Sequence, residues 1–92
     1  MLQGFNSELE YVGRLFHVQT EDGGLNRPRV ITHLFLRGTV VGVTRSDYAD
    51  DLEKPDLARR IRQLMEGQHQ AMLDGLLRGD WDPQIRACDL AS

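Results

Sequence analysis

Residues 30–36 read VITHLFL and residues 39–44 read TVVGVT, with Arg37-Gly38 between them. Both segments are rich in β-branched and aromatic residues, which are typical of strands, and so short a connection favours an antiparallel hairpin. The first of the two carries bulky apolar side chains on both of its faces. We therefore expect it to lie away from the edge of a sheet.

A second hairpin is predicted upstream of this one. In residues 5–11 (FNSELEY) apolar side chains alternate with polar ones, and residues 14–20 (RLFHVQT) resume the pattern after Val12-Gly13. Residues 21–28 (EDGGLNRP) have the composition of a loop. Because sequential strands are usually neighbours, the sequence predicts a four-stranded antiparallel meander.

One long amphipathic helix is predicted to follow the sheet. Apolar residues recur at three- and four-residue steps from about Pro55 to Arg78, and Gly79 suits the residue that ends a helix. The fold class is therefore α+β, a four-stranded antiparallel meander followed by one long C-terminal helix. We expect a single domain over residues 1–82 and a loosely ordered tail over residues 83–92, since residues 80–83 (DWDP) break the periodicity.

Composition narrows the class of protein. The chain has 92 residues, 27% of them charged, a formal net charge of −3 and a single cysteine, Cys88. No basic stripe favours nucleic acid, no apolar run approaches the roughly 20 residues of a membrane span, and the first residues lack the features of a signal peptide. We expect a cytoplasmic protein that binds neither nucleic acid nor membranes.

The proportions of the predicted fold suggest a protein partner. A helix of about 35 Å should overhang four strands spaced about 4.8 Å apart, and one helix covers only one face of a sheet. The partner is another protein or a second copy of the chain, unless the N-terminal segment or the tail at Trp81 covers the second face. The predicted contact residues are Ile31, His33, Phe35, Arg59, Arg62, Met65, His69, Met72 and Leu76.

Motifs for catalysis or cofactor binding are not recognised. Cys88 lies in the tail, no serine has a nucleophile elbow, and Gly23-Gly24 is not followed by the elements of a phosphate loop. We expect a protein that is not an enzyme and has no cofactor. The alternative is a small metal-binding protein that uses His17, His33 and His69, although HxxxH and CxxC spacings are absent.

Four segments carry a resemblance to known proteins: FHVQTEDGG (16–24), VITHLF (30–35), SDYAD (46–50) and LMEGQHQAML (64–73). In them the chain resembles short, mostly uncharacterised proteins of delta-proteobacterial type and the RomX-like polarity adaptors. The resemblance covers most of residues 4–82. It implies a non-enzymatic adaptor that loads or holds the GTP-bound form of a Ras-like motility or polarity GTPase, and it assigns no contact residue.

Overall fold

The computed structural model describes residues 2–91 of the chain. A sheet of four strands precedes two helices, and a single 3₁₀ turn, Ala49–Asp51, joins the two parts. The strands are β1 (Phe5–Tyr11), β2 (Arg14–Asp22), β3 (Arg29–Leu36) and β4 (Thr39–Asp47), and the helices are α1 (Leu57–Arg78) and α2 (Asp82–Ala91).

The sheet is the antiparallel meander that the sequence predicts. Its strand order is β1-β2-β3-β4, so β3 is an inner strand as expected. Two-residue turns close both hairpins, with positive φ angles at Val12 (47°) and Gly13 (78°) and at Arg37 (52°) and Gly38 (79°). Turns of this handedness match the twist of the paired strands, which explains why such short connections suffice.

Helix α1 ends where the sequence predicts. Gly79 adopts a left-handed conformation (φ 86°). The N–H of Gly79 donates to the carbonyl of Leu76 (3.1 Å), and the N–H of Asp80 donates to that of Gly75 (3.0 Å). These bonds satisfy carbonyls that the last turn leaves without helical partners. The helix begins at Leu57, slightly later than expected, and no side chain caps its first turn.

The residues after Gly79 differ from the expected loose tail. They form helix α2, and Ile85 is buried against the core. The break in periodicity at residues 80–83 marks a turn between two helices. Pro83 lies in the first turn of α2, where its missing N–H has no helical partner to lose. Ile85 is the one buried residue of α2. The apolar pattern of this segment is therefore too weak to predict a helix from the sequence.

The expected overhang of the long helix is wrong. Helix α1 runs along the strands rather than across them: Ile61 packs with Val30 at one end of the sheet, and Leu76 packs with Phe16 at the other. Its 22 residues extend about 33 Å, and the nine residues of β4 extend about 30 Å. Because the two lengths match, the apolar stripe of the helix lies on the sheet throughout.

Candidate functional site

Both helices pack on the face of the sheet that bears Phe16 and Leu34. No helix within residues 2–91 lies on the opposite face, which we call the open face. The register places on it the predicted contact residues Ile31, His33 and Phe35, each of them partly exposed. The expectation that one sheet face remains uncovered by the helix is therefore confirmed for the described residues.

The open face has an aromatic centre with exposed apolar neighbours. Phe35 lies between two histidine rings, at 5.6 Å from His33 in a stacked arrangement and at 6.2 Å from His17. Leu15 and Val40, on either side of this group, are 59% and 48% exposed. Apolar side chains that share one face at this exposure make the face a candidate contact surface.

The open face carries charges of both signs. Glu8 and Glu10 lie on β1, and Arg29 and Arg45 lie on β3 and β4, all pointing to this face by register. Glu21 and Asp47 share the face with the two arginines, so only the β1 border has charge of a single sign. A cleft of about 660 Å³ opens toward one end of the face, where Ile31 and His33 meet Arg29.

The predicted contact residues of α1 do not join this surface. Met65, His69, Met72 and Leu76 are buried between the helix and the sheet. Their spacing marks the packing stripe of the helix, and since α1 lies along the strands, the stripe packs on the sheet over its whole length. Their interpretation as contact residues is corrected: in this structure they belong to the core.

Arg59 and Arg62 lie on the exposed surface of α1, as expected for contact residues. Neither forms an ion pair with a residue of the described range. The sheet separates them from the open face, so the two arginines and the Phe35 cluster do not form one surface. They remain candidates for a separate electrostatic contact.

The three histidines do not converge. His17 and His33 lie on the open face, whereas His69 lies under the other face, where both of its ring nitrogens have hydrogen-bonding partners. Within residues 2–91, no group of three or more histidine, cysteine, aspartate or glutamate side chains is arranged to hold a metal ion. The geometry therefore does not assemble the three-histidine site of the alternative hypothesis.

A polar layer crosses the core beneath the sheet. Thr20, Thr32 and Thr44 are neighbours on β2, β3 and β4 in a single row, and the hydroxyls of Thr20 and Thr32 are 2.7 Å apart. Below them, His69 Nδ1 is 2.7 Å from Thr20 Oγ1, and Gln68 Nε2 donates to Thr32 Oγ1 at 2.9 Å. Such a row favours one register, because a slip would bury polar groups without partners.

The hydrogen bonds around His69 are compatible with a neutral ring. Since Gln68 can only donate through Nε2, the hydroxyl of Thr32 is free to donate to Thr20, and that of Thr20 to Nδ1 of His69. In that arrangement the protonated Nε2 donates to Ser7 Oγ, at 2.8 Å. Burial lowers the pKa of His69, which favours the neutral ring.

A second buried polar group anchors the loop at the end of the open face. The carboxylate of Asp22 accepts hydrogen bonds from the hydroxyl of Tyr48 (2.5 Å) and the N–H groups of Gly24 (3.0 Å) and Leu2 (3.1 Å). Burial raises the pKa of Asp22, but these hydrogen bonds outweigh it and the pKa is lowered. The charged carboxylate holds the N-terminal segment and the loop together at the rim of the cleft.

The sequence reasoning missed three residues of the open face: Leu15, Val40 and Val43. Alternation places Leu15 and Val43 opposite the buried residues, so a strict reading of the period was sufficient to find them. Val40 is different. The pairing shifts between Leu34 and Phe35, so that Phe35 pairs with Val40, and this irregularity directs Val40 to the open face.

Comparison with known proteins found no matching family model, no matching curated protein and no matching solved structure. The class is therefore defined by the fold itself, an α+β domain with a four-stranded antiparallel meander and helices on one face. Within residues 2–91, neither helix is long and apolar enough to cross a membrane.

Proposed function

We propose that this protein is a non-enzymatic protein-interaction module that binds its partner through the open face of the sheet. The observation that carries the proposal is the exposed apolar group around Phe35, with Leu15 59% and Val40 48% exposed. The buried centre of a protein interface is more apolar than its rim and is enriched in aromatic residues, as this group is.

The arrangement of charge and the rigidity of the face support the same proposal. The backbone of the face is held by three pairs of antiparallel strands and by the buried threonine row, so a partner meets a surface that is already ordered. Binding to a preformed surface loses less conformational entropy than binding to a flexible segment. The acidic border at Glu8 and Glu10 would help to orient the partner.

The partner that we propose is a Ras-like bacterial motility or polarity GTPase, for which the chain would act as a cytoplasmic adaptor and exchange partner. This part of the proposal rests on the sequence resemblance at FHVQTEDGG (16–24) and VITHLF (30–35). The second of these segments contains Ile31, His33 and Phe35, so the resembling residues and the open face coincide on β3.

The proposal is tested by measuring binding to the GTPase and release of a fluorescent GDP analogue from it. We expect the adaptor to bind and to change the rate of release. Leu15→Lys and Val40→Lys, which remove exposed apolar groups, should each weaken binding by about tenfold, or about 1.4 kcal/mol.

Leu77→Lys is the matched control, since Leu77 is 54% exposed on α1, away from the open face. It should bind as the wild type does. Absence of binding and of any effect on nucleotide release at high micromolar concentration would reject the GTPase as partner. If a partner is found and the Leu15 and Val40 variants bind it as well as Leu77→Lys, the open face is not the binding surface.

A further inference from the structure

A groove of about 610 Å³ runs between α1 and the edge strand β4, on the helix side of the sheet. It therefore lies on the opposite side from the open face. Most of its wall is apolar or small: Leu64, Gly67, Ala71, Met72, Gly75 and Trp81 contribute to it. The groove exists because α1 lies closer to β2 and β3 than to β4, while Trp81 closes one end only.

The strand that borders the groove is open to pairing. As the last strand of the sheet, β4 pairs only with β3, so alternate N–H and C=O groups along it face away from the sheet. The opposite edge, β1, carries Glu8 and Glu10, charges of the kind that discourage pairing with another chain. In β4, residues 39–44 (TVVGVT) carry no charge, and its two charged residues, Arg45 and Asp47, lie at its end.

Gly67 helps to keep the groove open, and packing within the chain does not explain why a glycine is there. This residue lies in the middle of α1, where glycine is less favourable than alanine, and a Cβ added to it would meet no atom within 4 Å. Packing within the chain thus gives no reason for glycine here. The missing side chain leaves the groove open along the helix.

Two polar groups at the groove lack partners. The side chain of Arg45 makes no ion pair with a described residue. Thr44 Oγ1 is buried without a hydrogen bond, and it is the only such side-chain atom in the described part of the chain. Both residues belong to β4: Thr44 points to the groove, and Arg45 points to the open face beside it. An acidic group would complement Arg45.

We propose that an extended segment of a partner protein binds here as a fifth strand beside β4. Its backbone pairs with the free edge, and every second side chain enters the groove next to α1. The segment therefore has apolar residues at the alternate positions that face the groove, and an acidic residue beside Arg45 at a position that faces the open side of the sheet. In this mode the main chain provides affinity and the pockets for alternate side chains provide specificity.

A second copy of the chain fits the groove less well. If β4 of another copy paired with this edge, it would present Gly42, Thr44 and Ser46 to the groove, since these are its residues on the helix side. They are too small or too polar to fill an apolar groove. A bound helix would fill it but would leave the backbone groups of β4 without partners.

The test uses the full chain and short random peptides displayed on phage. Peptides selected on the wild-type protein should share apolar residues at alternate positions with an acidic residue. Labelled peptides of that type should bind Gly67→Leu at least about tenfold more weakly, because the new side chain fills the groove. Glu66→Leu, which adds the same side chain to the exposed surface of α1, is the control and should bind within about twofold of the wild type.

Hydrogen exchange of the complex identifies the site. The amides of residues 42–47 should exchange more slowly when the peptide is bound, because the added strand takes up the free groups of the edge. Failure to enrich peptides, equal binding by Gly67→Leu, or slowing at residues 14–20 instead of β4 would overturn the proposal. A wild-type dimer in light scattering that Gly67→Leu abolishes would also overturn it, in favour of a second copy. Slowing at residues 14–20 would place the peptide on the open face; the other outcomes do not bear on that face, which the Leu15 and Val40 variants test separately.

Discussion

The indole ring of Trp81 lies directly on the backbone of Gly42. A Cβ added at Gly42 would be 2.8 Å from Cη2 of the ring and closer still to two other ring carbons. This contact joins the turn before α2 to the edge strand, and it explains why β4 has a glycine within a β-branched segment. The Trp81 ring also closes one end of the groove beside α1.

Gly42→Ala should therefore lower the free energy of unfolding by about 1–3 kcal/mol, because the added methyl group displaces the indole ring. Urea denaturation followed by circular dichroism measures it. Gly67→Ala is the matched control: its Cβ meets no atom within 4 Å, so it should raise stability by about 0.5–1 kcal/mol. Equal effects of the two substitutions would show that Trp81 does not pack on Gly42.

Val12→Asn should stabilise the protein by about 1 kcal/mol. Val12 has a positive φ of 47°, which a β-branched residue adopts only with strain, and its side chain is 69% exposed. Asparagine before glycine suits this turn, so the substitution removes strain and loses little packing. Val40→Asn, at an exposed valine without a positive φ, should give no gain in the same urea measurement. A stabilisation by both would point to a general effect of exposed valines.

Ile85→Ala should destabilise the fold by about 2–4 kcal/mol, since Ile85 is 4% exposed and packs in the core with Phe16 and Leu36. Leu90→Ala, at a residue 88% exposed on the same helix, should change stability by less than about 0.5 kcal/mol. Thermal and urea unfolding measure both. If Ile85→Ala is as neutral as Leu90→Ala, helix α2 contributes nothing to the core, and residues 83–92 behave as the loose tail that the sequence predicted.

Stability should fall as the pH is lowered through the ordinary histidine range, and His69 should cause part of the fall. Burial lowers the pKa of His69 in the folded protein, so the unfolded chain takes up this proton first. The contribution of His69 to the free energy of unfolding is fully present above a pH of about 6.5, and it is lost as the pH falls toward the folded-state pKa. One proton limits the slope to about 1.4 kcal/mol per pH unit.

His69→Gln removes this titration and keeps groups that can hydrogen-bond to Ser7 and Thr20. The variant should be less stable than the wild type at pH 8, but its free energy of unfolding should fall less between pH 7 and pH 5. His17 and His33 are present in both proteins and cancel in the comparison. Urea denaturation at a series of pH values measures the difference. Parallel pH profiles would show that His69 takes no part.

Several features of the fold are predictable because they depend on neighbours in sequence. The turns at Val12-Gly13 and Arg37-Gly38 follow from alternating segments around a glycine, and the end of α1 follows from Gly79. The inner position of β3 follows from apolar side chains on both of its faces. The open face around Phe35 was predictable for the same reason, since alternation alone assigns side chains to faces.

The stripe of α1 shows what alternation and helical period leave undecided. The period identifies Met65, His69, Met72 and Leu76 as one side of a helix, but not what that side touches. All four are buried because α1 lies along the strands, and this orientation depends on contacts between residues far apart in sequence. The pairing of His69 with Thr20, 49 residues away, is one of them.

The sequence by itself therefore determined the strands, their order, the long helix and the existence of a second sheet face, all of which follow from short-range periodicity and turn chemistry. Only the tertiary structure decided the direction of α1 relative to the strands, the burial of its whole stripe, the helical form of residues 82–91 and the groove beside β4. These depend on how surfaces of fixed shape pack together. Packing is a property of distant residues jointly, and no local pattern encodes it.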